Sequence, residues 1–103
     1  MCIVLWHVTR RIGDAASILR NGFLRKELIT IEGTGPVVHF FRDKPPIGPS
    51  QLERLRVTFP DMTEAELSQY DASSADYQEY RIPVDLVNRR ARVEIDAVWE
   101  GGR

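Results

Sequence analysis

The chain has 103 residues, 43% of them apolar, 28% charged and 9% aromatic, and its 14 Lys and Arg against 15 Asp and Glu leave a net charge of -1. That length predicts one domain hiding roughly 65% of its unfolded surface, enough for a core without disulfides and too little for a separate cofactor domain. A pI near 6.1 argues against a general nucleic-acid binder, because phosphate affinity scales with the cations a surface presents.

The basic groups Arg10, Arg11, Arg20, Arg25 and Lys26 near the front, and Arg89, Arg90 and Arg92 near the end, read most simply as solvated faces. The single cysteine, Cys2, excludes an internal disulfide and suits a reducing compartment. Its place in an apolar run predicts a small buried hydrophobe. No stretch approaches the ~18 apolar residues of a membrane span. Met1 to Thr9 lacks both the basic segment and the small-residue cleavage site of a signal peptide. A soluble, cytoplasmic protein without a membrane partner is therefore expected.

Cys2 to Val8 is apolar and β-branched, a buried strand by pattern. A helix follows, with Asp14 able to cap it and Ala15, Ile18 and Leu19 forming one apolar stripe. Asn21-Gly22 ends it, since glycine accepts the left-handed conformation after a last turn. Leu28, Ile29 and Ile31 hint at a short strand or packed loop before the turn Gly33-Thr34-Gly35-Pro36, and Val37 to Phe41 is a second strong strand. Asp43 to Pro49 is too rich in proline for a central strand or a helix, so it forms a surface loop. Leu55, Val57 and Phe59 alternate with polar neighbours as a half-buried strand does.

Thr63-Glu64-Ala65-Glu66 is a capping-box pattern ahead of a short helix that puts Leu67 and Tyr70 on one face. Tyr80 and Ile82 belong to a further strand, and Pro83 to Asn88 suit a single helical turn. Ala91, Val93, Ile95, Ala97 and Trp99 give the cleanest period-two signal in the chain. The expectation is an α+β fold with a small, mostly antiparallel sheet and one or two helices. It spans residues 1–100 as one domain, with 101–103 as a tail. The exposed edges of so small a sheet would suit a homodimer.

Two features carry chemistry. His7 and Thr9 lie on one face of the first strand, an arrangement suited to a sugar hydroxyl. On periodicity alone the commoner role for His7 is a histidine satisfied within the core. Glu79 stands at a strand mouth between Tyr77 and Tyr80, where a carboxylate can stabilise a developing cation. Taken by itself it is more often an ordinary surface acid. The two histidines and one cysteine show no metal-ligand spacing, so no metal is expected. Gly33-Thr34-Gly35 lacks the strand-to-helix context of a dinucleotide loop.

The order of these segments resembles the ADP-ribosyltransferase fold. Leu5-Trp6-His7-Val8-Thr9, the following helix and Asn21-Gly22-Phe23 resemble its opening H-x-T strand and helix ending in "ILxxGF". Val38 to Pro45 is similar to its middle strand, and Glu79 to Asn88 to its closing "EYLIPxxLLN" segment. The chain departs from the family pattern at Phe41 or Arg42, where relatives often carry serine, and at Val8, where many have a smaller residue.

The resemblance implies a split, twisted sheet holding NAD, used as substrate, in the cleft between its halves. In that frame His7 and Thr9 hold the adenosine-side ribose. Phe40, or His39 one register earlier, sits beside the nicotinamide. Glu79 binds the nicotinamide ribose, and Tyr77 recognises an acceptor, protein or nucleic acid. The implied activity is transfer of ADP-ribose to a macromolecule, and toxin or effector roles are common in such families. Two alternatives keep the scaffold: an NAD-dependent RNA 2′-phosphotransferase, and an inactive module that binds a nucleotide or a protein.

Overall fold

In the computed structural model, which describes residues 2–101, the alternating runs become strands that pair antiparallel throughout. In chain order these are β1 (Ile3–Thr9), β2 (Ile29–Ile31), β3 (Gly35–Phe41), β4 (Glu53–Phe59), β5 (Glu79–Pro83) and β6 (Arg92–Val98). Three α-helices join them, one more than the one or two expected: α1 (Asp14–Asn21), α2 (Glu64–Ser68) and α3 (Val84–Arg90). The third runs two residues past the turn anticipated over Pro83 to Asn88; Val84 and Val87 are buried on its inner face, and its added last residue, Arg90, pairs with Glu66 of α2. Of the tail expected at 101–103, residues 102 and 103 lie outside the described residues.

The sheet runs β2-β3-β1-β4-β6, with β5 also on β3. Its pairing is uneven. Strands β1 and β4 are in register along their whole length, from Ile3 opposite Phe59 to Thr9 opposite Glu53. Strands β1 and β3 share one paired position, Trp6 opposite Phe41.

The two edges of β3 explain where the sheet opens. Val37 pairs with both Ile29 and Pro83, and Phe41 with both Trp6 and Glu79. A strand residue has partners only on opposite sides, so β5 takes one edge while β2 and β1 take the two ends of the other. Between those ends, Val38 to Phe40 has no strand neighbour on that side. The result is a sheet split between β1 and β2.

One continuous core forms from Leu5, Val38, Phe40, Leu55, Val57, Phe59 and Ile82 in the strands and Ala15, Leu67, Val84 and Val87 in the helices. Phe40 makes edge-on contacts with Phe59 and Phe23 at centroid separations of 5.9 and 6.2 Å, a geometry that adds to simple area burial. On the apolar stripe expected for α1, Ala15 is buried and Ile18 half-buried, whereas Leu19 is exposed. Cys2 is exposed as well, because it precedes the first paired residue of β1 and no element covers it.

Local caps follow sequence in one helix and not in another. The Thr63 side chain accepts from the Glu66 N–H at the start of α2, as the capping pattern predicts. The Glu66 carboxylate turns instead to Arg90 on α3. At α1 the cap expected from Asp14 is absent. Asp14 is the first helical residue, and the residue before it is Gly13 at φ 101° with no side-chain bond of its own. The missing acceptor comes from β4: Glu53 receives the Gly13 N–H at 3.1 Å and the Ala15 N–H at 2.8 Å.

Candidate functional site

A cavity of about 590 Å³ opens where β1 and β2 part. Its walls include His7, Thr9, Arg10 and Arg11 from the end of β1 onward, Phe23 and Leu28 from the chain after α1, and Val37 and His39 from β3. That volume falls within the ~300–1,000 Å³ of small-molecule sites. The site exists because β3 leaves its middle unladdered on this side.

His7 bridges the gap. Its Nδ1 lies 2.8 Å from the carbonyl oxygen of His39. A carbonyl only accepts, so Nδ1 carries the proton and Nε2 of the neutral ring is a lone-pair acceptor. Burial pushes the His7 pKa below its ordinary 6.5, and the neighbouring His39 adds to this, while the bond to the carbonyl works the other way. Nε2 has no hydrogen-bond partner among the described residues, and the residue lines the cavity. The ring packs edge-on to Phe23 at 5.1 Å and to Phe40 at 5.9 Å.

His39 joins β1 to β5. While its carbonyl accepts from His7, its Nδ1 lies 2.9 Å from Glu79 Oε1, a diagonal pair across β3 and β5. Glu79 is 8% exposed. Ser73 Oγ accepts from the Glu79 N–H at 3.0 Å and steadies the start of β5. Thus His7, His39 and Glu79 come together as one chain of contacts. Glu79 is not itself on the cavity wall; it is tied to the wall through its bond to His39. Its Oε2 has no hydrogen-bond partner among the described residues.

The remaining candidates divide. Of the two positions offered for the aromatic role, His39 is on the wall, while Phe40 points into the core beneath and is fully buried. Alternation along β3 accounts for this. Tyr77 is half exposed and stacks edge-on against Phe41 at 5.8 Å, away from the cavity wall. Thr9 is on the wall, but its hydroxyl donates to Glu53 Oε1 at 2.6 Å.

Glu53 is the residue that sequence reading passes over. It is 4% exposed and takes three donors, from Thr9, Gly13 and Ala15. Burial raises its pKa, but those three hydrogen bonds outweigh burial and hold it below the usual carboxylate range. Its signal was available: the alternation of Leu55, Val57 and Phe59, extended back by two, puts an acid on the core face of the strand. The arrangement holds the turn of Arg10 and Arg11 beside the cavity, where Arg11 meets Asp14 at 3.5 Å.

Among the described residues no group of three or more His, Cys, Asp or Glu side chains could hold a metal ion, and no helix is long and apolar enough to cross a membrane. Comparison with protein-family models, with curated proteins and with solved structures gave no match.

Proposed function

We propose that this chain binds NAD in the split between β1 and β2 and transfers ADP-ribose to a macromolecular acceptor. The observation that carries this reading is the contact chain His7–His39–Glu79, whose two histidines line one cavity and whose acid is bonded directly behind them. It joins a neutral acceptor nitrogen to a nearly buried carboxylate that keeps one oxygen free.

The chemistry needs little else. Breaking the bond between nicotinamide and ribose leaves the electron pair with nicotinamide and builds positive charge on the sugar, as in glycoside hydrolysis. The Glu79 carboxylate stabilises that charge, and its free Oε2 accepts a ribose hydroxyl. The acceptor nucleophile then bonds to the sugar carbon and gives up its proton to solvent. His7 Nε2 accepts a hydroxyl from the other ribose, and Arg10 and Arg11 supply positive charge for the pyrophosphate. Thr9 acts through Glu53, by fixing the turn that carries those arginines. A reducing, cytoplasmic setting suits the free Cys2.

Nicotinamide release by the wild type and by Glu79→Gln, with NAD binding measured by calorimetry, tests the reading. Release from the wild type, strongly reduced in the variant at similar affinity, supports it. Binding without release identifies a nucleotide sensor. Neither binding nor any rise in melting temperature points to an interaction module.

A further inference from the structure

We propose that His39 is the positioning residue for Glu79, fixing which carboxylate oxygen faces the substrate. The inference rests on the ADP-ribosyl-transfer reading and assigns a task to the second imidazole of the site.

The carboxylate of Glu79 has one side-chain partner among the described residues, His39 Nδ1 at 2.9 Å. The backbone at Glu79 is held by Ser73 and by pairing with Phe41, but those contacts leave the side-chain torsions free. His39 removes that freedom. It occupies Oε1 and leaves Oε2 as the acceptor. An ionised carboxylate donates nothing, so Nδ1 carries the proton in this bond and Nε2 is left as the second polar atom of the ring.

That second atom shows what holds the ring in turn. His39 Nε2 is buried and has no hydrogen-bond partner among the described residues. An orphaned polar atom is costly, and the ring accepts that cost in the orientation that serves Glu79. Among the described residues no other side-chain bond anchors it. The pair is therefore mutual: the acid orients the imidazole, and the imidazole orients the acid. The strand supplies the rest, because the His39 carbonyl is fixed by His7 from β1. One residue of β3 thereby sets the spacing between the groups on β1 and on β5.

Two substitutions separate this task from packing. His39→Asn keeps a donor near the Nδ1 position, and His39→Phe keeps a flat ring without a donor. The expected result for His39→Phe is a fall in kcat for nicotinamide release of about 100-fold, the scale of a misplaced reacting group, with KM little changed. His39→Asn restores most of that loss. Equal losses in the two variants, or a loss confined to KM, would overturn the positioning role.

A second measurement needs no turnover. In the 15N-labelled full-length chain, His39 should show the Nδ1–H tautomer by NMR and lose that preference in Glu79→Ala; an unchanged tautomer overturns the proposal. If the wild type releases no nicotinamide, the transfer reading fails and the tautomer comparison alone decides the positioning.

Discussion

Thr9 Oγ1 donates to Glu53 Oε1 over 2.6 Å, tying the end of β1 to the start of β4 at the one point where their register places a hydroxyl opposite a buried acid. The same carboxylate closes the first turn of α1 through Gly13 and Ala15. A single acid thus welds strand, strand and helix on one side of the cavity. The positive end of α1 is already neutralised from within the protein.

Thr9→Val keeps the shape of the side chain and removes the donor. The carboxylate is then left one hydrogen bond short in a buried site, and the variant should lose about 1–3 kcal/mol of stability. Urea denaturation measures the loss, and Thr9→Ser should recover much of it. A Thr9→Val midpoint equal to that of the wild type would mean that Gly13 and Ala15 satisfy Glu53 unaided.

The acid also sets a pH dependence. Its folded pKa lies below the reference value of 4.5, so the unfolded chain takes up the proton first as pH falls. The stabilisation is fully present above pH 4.5 and is lost as pH drops through the folded pKa. Glu53→Gln should have a shallower acid limb than the wild type in unfolding followed across that range. Parallel limbs would show that other carboxylates govern acid denaturation.

His7 acts in a higher window with the same sign. Burial depresses its folded pKa below 6.5, so below pH 6.5 the unfolded chain binds the proton that the folded chain refuses. Stability therefore declines as pH falls below 6.5 and levels off once the folded ring is protonated. His7→Asn retains a donor for the His39 carbonyl without the titration, and its stability should be flatter over that interval. Denaturation midpoints at neutral and mildly acidic pH make the comparison.

Gly22 ends α1 at φ 74° and ψ -179°, a region that is essentially glycine-only. A Cβ there would stand 2.9 Å from Asn88 Oδ1. Asn88 clamps the next residue, accepting from the Phe23 N–H at 2.9 Å and donating to the Phe23 carbonyl at 3.0 Å. Gly22→Ala should cost about 1–3 kcal/mol from backbone strain alone, with the displaced clamp adding to it. Thermal unfolding reads the result, and a neutral substitution would show that the turn relaxes freely.

For Glu79→Gln, the fall in kcat for nicotinamide release should reach at least about 100-fold, the loss typical of one preorganised electrostatic contact. The dissociation constant for NAD should move far less, since the carboxylate matters most when sugar charge develops. Matching losses in rate and affinity would give Glu79 a binding role only.

Strands were the most legible part of the fold, because alternation is local: Leu55, Val57 and Phe59 are all buried on one face of β4. The alternation read over Ala91 to Trp99 holds less well: Ala91 caps α3, and Ile95 is exposed beside a register shift between β4 and β6. The ends of α1 were half legible. Gly22 announced the stop, but the start is capped by Glu53, 38 residues from Ala15 in sequence, and no local pattern encodes such a partner. The same limit separates the members of the site. His7 and Glu79 could be nominated from their own strands, and either His39 or Phe40 from β3. Alternation puts His39 and Phe40 on opposite faces of β3, and the tertiary packing decides which face meets the opening and which the core. Arg10 and Arg11, which read as solvated charges, stand at the cavity because the turn they occupy is pulled onto Glu53.

The meeting of β1 and β3 at Trp6 and Phe41, with the imidazole of His7 as a stitch beyond it, divides the sheet into two leaves that share few rungs. A molecule lodged in the notch would supply rungs the backbone omits. On the proposed reading occupancy and rigidity would be one event: a ligand filling the notch would also fasten the leaves, and amide exchange along β2 and β3 should slow in step with saturation.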